Sequence, residues 1–169
     1  MDEAVSYLIE GNKLYHLGEY LAAIEKYDNA LKLSPTVSII YEAKARSLRE
    51  ICCYEEALIY FNKAIICLNS NSPELLKPRE YRIYYCRGEV LFNLDRYDES
   101  LKSFERALTE YRCVEDADVP FLNDCVNEGL MFKRVGLQQY AIDIFQLVYD
   151  VGKDHLYELD YDLVQLLKA

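Results

Sequence analysis

Side chains that could carry out chemistry are few in this sequence and are spread along it. The two histidines, His16 and His155, lie near opposite ends of the chain. The six glycines form neither a dinucleotide-binding fingerprint nor a phosphate-binding loop. The acidic pair Glu55 and Glu56 stands where a helix is predicted to begin, and negative charge there offsets the helix dipole. Because catalysis needs groups that can meet, the sequence predicts a protein that is not an enzyme and holds no cofactor.

The cysteines do not form a pattern typical of a metal site or a disulfide framework. There are six, at positions Cys52, Cys53, Cys67, Cys86, Cys113 and Cys125. No Cys-x-x-Cys occurs, and the adjacent Cys52 and Cys53 have no histidine or second close cysteine pair beside them for zinc. We expect reduced thiols packed as small apolar side chains and no bound metal. Since the sequence starts with acidic residues, unlike a secretory signal, we expect a cytoplasmic protein.

Charge and hydropathy argue against two further classes of protein. The chain has 169 residues, of which 51% are hydrophobic and 28% charged, a composition typical of one folded domain. Its net charge of −10 would repel a phosphate backbone, so we expect no nucleic-acid partner. The longest uncharged stretch that we find, Ala64 to Pro73, is about half of what a bilayer span requires, so we expect no membrane partner.

The chain repeats a pattern whose period is 34 residues. The triplet Ala23, Tyr27, Ala30 returns displaced by 34, and then by a further 43 and 41, which are 34 plus insertions of nine and seven. The later copies are Ala57, Phe61, Ala64; Ser100, Phe104, Ala107; and Ala141, Phe145, Val148. Upstream of each triplet stands a pair of residues four positions apart, the second of which is small. These pairs are Tyr7 and Gly11, Tyr41 and Ala45, Tyr84 and Gly88, and Cys125 and Gly129. Each copy is therefore predicted to be two helices, the second opening at Tyr20, Tyr54, Tyr97 and Gln138.

The small residues indicate close helix packing. A glycine inside a helix costs about 1 kcal/mol relative to alanine, so Gly11, Gly88 and Gly129 make sense where a missing side chain lets another helix approach. We expect the second helix of each pair to press against the first at these points. The large ring of each triplet is expected to fill the space between one pair and the next.

These spacings resemble the tetratricopeptide repeat, a 34-residue helix-turn-helix family. The first copy carries the pattern nearly whole, and the fourth departs from it most. The resemblance implies an all-α fold, a right-handed superhelical solenoid of four helix pairs in a single domain. The repeats are predicted at about 4–37, 38–71, 81–114 and 122–153. Leucines at three- and four-residue steps beyond them predict a C-terminal capping helix at about 154–168.

The resemblance also implies a function, because this family most often binds an extended peptide or a helix on the concave side, which the first helix of each pair lines. The chain is thus expected to be a non-enzymatic protein-interaction module or adaptor. Residues of the first helices outside the small-residue contacts are predicted to form the inner face: Leu8, Asn12, Tyr15, Glu42, Arg46, Arg49, Arg82, Tyr85, Glu89, Phe92, Val126, Leu130 and Lys133. An alternative is self-association, in which the C-terminal helix of one copy fills the groove of the next to give a homo-oligomer.

The predicted inner face combines apolar and basic side chains. Arg46, Arg49, Arg82 and Lys133 place positive charge there in a strongly acidic protein, which favours a protein or peptide partner with hydrophobic and acidic residues. Alternatively, these cations only pair with Glu42, Glu89 and their neighbours.

One specific family function can be tested on the residues. Family members that grip the acidic tail of the large heat-shock chaperones use a five-residue carboxylate clamp. The matching positions are Leu8, Asn12, Ala43, Arg82 and Cys86, of which only Asn12 is retained, with Arg82 a possible substitute for a lysine. This loss of cations and of a hydrogen-bond donor argues against a chaperone-tail partner.

Overall fold

A computed structural model describes residues 3–68, 80–111 and 119–152, which form eight helices and no strand. The helices are α1 (Glu3–His16), α2 (Tyr20–Leu33), α3 (Ser38–Glu50), α4 (Tyr54–Ile66), α5 (Glu80–Asn93), α6 (Tyr97–Tyr111), α7 (Val119–Arg134) and α8 (Gln138–Gly152). The predicted all-α repeat fold is confirmed, and the second helix of each pair begins at the predicted residue. None of the described helices is long and apolar enough to cross a bilayer.

The turn inside each pair has the same backbone geometry. Its central residue has a positive φ, at Gly18 (79°), Cys52 (59°), Asp95 (57°) and Gly136 (84°). The next residue donates its backbone N–H to a carbonyl five positions earlier, as in Glu19 to Leu14 at 2.9 Å, and this bond ends the first helix of the pair. Two of the four central residues are glycines, Gly18 and Gly136, which adopt a positive φ at no steric cost.

The two helices of a pair approach closely where the sequence has glycine. A Cβ atom added to Gly88 would lie 2.7 Å from the Phe104 ring, and one added to Gly11 would clash with the Tyr27 ring. Gly129 faces Phe145 in the same way. The large ring therefore also closes its own pair, a contact that the sequence analysis did not assign to it. Tyr27 does reach the next pair as well, since it shares a buried cluster with Ile40 and Ala43 of α3.

Neighbouring pairs are joined by apolar clusters and by a polar bridge that recurs at matching positions. The buried Lys44 of α3 donates hydrogen bonds to Asp28 of α2 (2.6 Å) and to the Tyr60 hydroxyl of α4 (2.9 Å). One repeat later, Arg87 of α5 donates to Asn62 of α4 (2.8 Å) and to Ser103 of α6. Each cation thus ties its own pair to the preceding one.

The fourth pair is attached mainly through aromatic rings. Phe132 of α7 lies edge-on to Phe92 of α5, with 4.9 Å between ring centroids, and α8 packs against α6. At the position of Lys44 and Arg87, α7 carries Glu128, which accepts a hydrogen bond from the Tyr85 hydroxyl (3.2 Å). Burial raises the pKa of Glu128 to about 7, and the charges of Glu89 and Asp124 act in the same direction.

Some predictions fall outside the described residues. The predicted capping helix at 154–168, and with it the proposed self-association through that helix, lies entirely there. The ends of the predicted repeats at 71, 114 and 153 also fall outside, so the repeat boundaries stay predictions. Helix α7 begins at Val119, three residues before the predicted start of the fourth repeat.

Substituting Gly88→Ala should destabilise the protein by about 1–2 kcal/mol. The added methyl group collides with the buried Phe104 ring, and the strain of overpacking exceeds the gain in helix propensity. Urea unfolding of the single variant and of Gly88→Ala with Phe104→Leu would measure this. We expect the alanine to cost much less beside leucine, and an equal cost in both backgrounds would contradict the contact.

Glu128→Gln should stabilise the protein at pH 8 by about 1–2 kcal/mol, since the half-buried carboxylate is ionised there. A carboxyl group whose pKa is raised by folding stabilises the native state at pH values below its unfolded pKa, near 4.5. This contribution is lost as the pH rises through its folded pKa of about 7. The gain should therefore vanish near pH 5. Denaturant unfolding from pH 5 to 8 checks this, with the exposed Glu25→Gln as control; a gain independent of pH would refute it.

Candidate functional site

A cavity of about 260 Å³ lies between the first helices of the second, third and fourth pairs. Helices α1, α3 and α5 contact one another in sequence, so residues on their exposed sides converge. The central cavity, as we call it, is lined by Glu42, Arg46 and Arg49 of α3, Arg82, Tyr85, Cys86 and Glu89 of α5, and Phe121 and Asp124 of α7. Six of these nine residues belong to the predicted inner face.

A second, smaller cavity of about 110 Å³ lies beside the first pair. It is lined by Asn12, Tyr15, His16, Tyr27, Ala43 and Arg46, so Arg46 faces both cavities. The Tyr27 hydroxyl donates to the Asn12 side-chain oxygen at 2.9 Å, and this hydrogen bond holds Asn12 in place. The predicted residues Asn12 and Tyr15 therefore lie next to the central cavity rather than in it.

Other predicted residues are not brought to either cavity. Leu8 and Val126 are 4% and 0% exposed, so they belong to the core and present no binding surface. Phe92 is half-buried against Phe132, Leu130 is half-buried, and Lys133 is exposed at the end of α7. The sequence analysis places both residues on the inner face, but neighbouring helices cover that side of α1 and α7.

Besides Cys86, sequence reasoning missed Phe121 and Asp124 in the central cavity. Both stand in the first part of α7, and the predicted start of the fourth repeat at residue 122 left Phe121 out. A signal was present, since Phe121 lies four residues before Cys125 and so shares a face of the helix with it.

The arginines of the central cavity already have acidic neighbours. Arg49 forms ion pairs with Glu89 and with Glu50 (2.7 Å). Arg46 lies 3.8 Å from Glu42, and its guanidinium stands 4.9 Å from the centre of the Tyr15 ring. The alternative that these cations pair with Glu42 and Glu89 thus describes the unbound protein, and a ligand would have to compete with these pairs.

Burial shapes the protonation of the cavity. It raises the pKa of Glu42, an effect that Arg46 and Arg82 oppose. It also raises the pKa of Glu89, which Arg49 opposes, and brings the pKa of the Cys86 thiol to about 12. A thiol in this state is protonated at neutral pH and is a poor nucleophile.

The described residues offer little for metal binding. Among them, no cluster of three or more histidine, cysteine, aspartate or glutamate side chains is placed to hold a metal ion. The five cysteines that the structure describes are free thiols, of which Cys86 and Cys125 are buried and Cys52 and Cys53 are exposed. The arrangement in the central cavity can instead form hydrogen bonds and ion pairs with a ligand.

Comparison with protein families and with curated proteins identifies the repeat. The tetratricopeptide repeat family matches residues 81–112. The chain is 29% identical over 106 residues to Protein STIP1 homolog of Dictyostelium discoideum, covering 63% of this chain and 17% of that protein. It is 24% identical over 99 residues to small glutamine-rich tetratricopeptide repeat-containing protein 2 of Mycosarcoma maydis, covering 59% and 26%. The chain thus spans about a quarter or less of the length of these relatives.

Solved structures share the fold. MamA residues 41 to the end from Desulfovibrio magneticus RS-1 match with a TM-score of 0.67 at 19% identity, over 91% of this chain and 78% of that one. The second TPR of Spaghetti (RPAP3), solved with the HSP90 peptide SRMEEVD, matches with a TM-score of 0.55 at 25% identity, over 63% and 91%. The sequence matches and the stacked helix pairs agree: residues 81–112 match the tetratricopeptide repeat family, and the chain has the fold of the solved tetratricopeptide domains.

Proposed function

We propose that this chain is a non-enzymatic interaction module that binds a peptide or helical segment of a partner protein in the groove along its first helices. The observation that carries the proposal is the central cavity, in which three consecutive first helices bring together arginine, carboxylate and aromatic side chains. Such a surface, open to solvent yet lined by well-packed helices, is typical of a recognition site.

The residues of the cavity indicate the chemistry of the ligand. Tyr85 and Phe121 offer apolar contact, and their rings lie 5.7 Å apart between centroids. Arg46, Arg49 and Arg82 can form charge-assisted hydrogen bonds with carboxylates. A segment with hydrophobic anchors and acidic residues therefore suits the cavity.

The structural relatives support the mode of binding but not the same ligand. Two of them are tetratricopeptide domains solved with the HSP90 peptide SRMEEVD. In this chain, the clamp positions Leu8, Ala43 and Cys86 are buried apolar side chains, so they supply no cation or amide to a terminal carboxylate. We infer that the partner is a different segment. Free thiols suit a reducing cytoplasm, which is the location that we propose.

Reversing two charges of the cavity should weaken binding. We expect Arg46→Glu with Arg82→Glu to lower the affinity for peptides selected on the wild-type protein from a random display library by at least about tenfold, because carboxylates of the ligand would meet like charge. The matched control is Lys32→Glu with Lys102→Glu, which makes the same charge change on exposed sites of α2 and α6. Titration by fluorescence anisotropy measures both, and unchanged affinity in the cavity variant would refute the proposal.

The chaperone-tail peptide SRMEEVD should bind weakly, with a dissociation constant above about 100 µM, since three clamp positions lack polar groups. Calorimetric titration of the wild-type protein checks this, with a clamp-bearing tetratricopeptide domain as positive control. Micromolar binding that Asn12→Ala abolishes would show that a clamp operates here after all.

A further inference from the structure

One carboxylate occupies a position that is apolar in every other repeat. The repeat spacing of 34, 43 and 41 residues places four residues at the same position on the four first helices: Leu8, Glu42, Tyr85 and Val126. Leu8 and Val126 are core residues, and Tyr85 is half-buried. The packing of the repeats thus calls for an apolar side chain here, and only the second repeat has an acid.

Glu42 is largely buried and has only a loose partner within the protein. The residue is 8% exposed, and its nearest cation, Arg46, lies 3.8 Å away, beyond hydrogen-bond distance. Within residues 3–68, 80–111 and 119–152, no group donates a hydrogen bond to its carboxylate. A buried charge that is only loosely paired destabilises a fold, and burial accordingly raises the pKa of this group.

The carboxylate of Glu42 faces a place where a ligand can reach it. It lines the central cavity, whose volume of about 260 Å³ is several times the roughly 30 Å³ that one water molecule occupies. Two further carboxylates, Glu89 and Asp124, line the same cavity. Glu89 forms an ion pair with Arg49, whereas Glu42 lies 3.8 Å from Arg46.

We propose that Glu42 is a specificity-determining residue that binds a basic side chain of the partner peptide, next to an acidic residue of the same peptide that binds Arg46. This inference rests on the proposed function of the groove. It extends that function, because hydrophobic and acidic residues alone would leave Glu42 without a donor.

Charge balance explains why the ligand carries both charges. The cavity is lined by three carboxylates and three arginines. An acidic group that took Arg46 away from Glu42 would remove the cation nearest to this buried carboxylate. A basic group alone would leave Arg46 facing an added positive charge. If the peptide carries an acidic and a basic residue side by side, its acid can bind Arg46 while its base binds Glu42. Both protein charges then gain a closer partner than they have in the unbound protein.

The test uses peptides selected from a random display library on the full wild-type chain. We expect the selected peptides to carry lysine or arginine beside aspartate or glutamate. Replacing that basic residue by methionine should lower the affinity of the peptide for wild-type protein at least tenfold. The same replacement should change the affinity for Glu42→Leu and for Glu42→Gln by less than about twofold, which gives a double-mutant cycle between protein and peptide.

The outcomes separate this inference from the proposed function. Glu42→Leu restores the side chain of the first repeat, so it should fold and unfold in denaturant at least as stably as the wild type; Glu42→Gln keeps the shape of the residue and serves if the leucine variant fails to fold. Two results would overturn the role of Glu42: selected peptides that contain no basic residue, or a basic residue whose replacement has the same effect on binding to the wild-type protein and to the variants. The proposed function still stands in either case if Arg46→Glu with Arg82→Glu weakens binding at least tenfold. If that double reversal also changes nothing, the proposed function falls as well.

Discussion

The close contact between a small residue on the first helix and a large ring on the second is the constraint on which the rest of this structure depends. Gly11, Gly88 and Gly129 each leave room for a ring that a methyl group would displace. A mid-helix glycine costs about 1 kcal/mol, whereas burying a large apolar side chain stabilises by about 1.5–3 kcal/mol, so the exchange is favourable. Because the contact recurs, successive helix pairs have similar geometry, and their first helices come to lie side by side.

Because the first helices lie side by side, polar side chains from three of them converge on one cavity. Buried ion pairs contribute little net stability, since desolvation offsets most of the attraction. Arg49 nevertheless lies between Glu50 and Glu89, and Arg46 lies near Glu42 in a cavity that reaches solvent. Such groups cost the fold little as long as they stay paired, and they are available to a ligand that offers better partners. In the proposed function, the helix packing supplies the scaffold, and the charged residues of α3 and α5 bind the partner.

The sequence was sufficient to predict the helix pairs, because the repeat spacing reports packing directly. The second helices begin at Tyr20, Tyr54, Tyr97 and Gln138 as predicted, and six residues of the predicted inner face line the central cavity. The spacing could not show how far one first helix covers the next. Leu8 and Val126 lie on the predicted side of their helices but are buried by neighbours, a property of the stack rather than of one helix.

The repeat spacing also could not show which helices an aromatic ring contacts, or that a helix begins before the first residue of the repeat pattern. Tyr27 fills space between pairs as expected, but it also packs on Gly11 of its own pair, which the spacing did not reveal. Phe121 was missed since α7 begins at Val119, three residues before the repeat pattern. Likewise, Glu42 looked like an ordinary inner-face residue until its burial and its distance from Arg46 were known.

The most direct test of the close-packing account is the proton NMR spectrum of the assigned glycines. If rings lie on Gly11, Gly88 and Gly129, their α-protons should shift upfield through ring currents and show strong cross-relaxation with the ring protons of Tyr27, Phe104 and Phe145. Gly18 and Gly136, which have no atom nearby in the same position, should show neither effect. Ordinary shifts and no ring contacts at the three helical glycines would contradict the account.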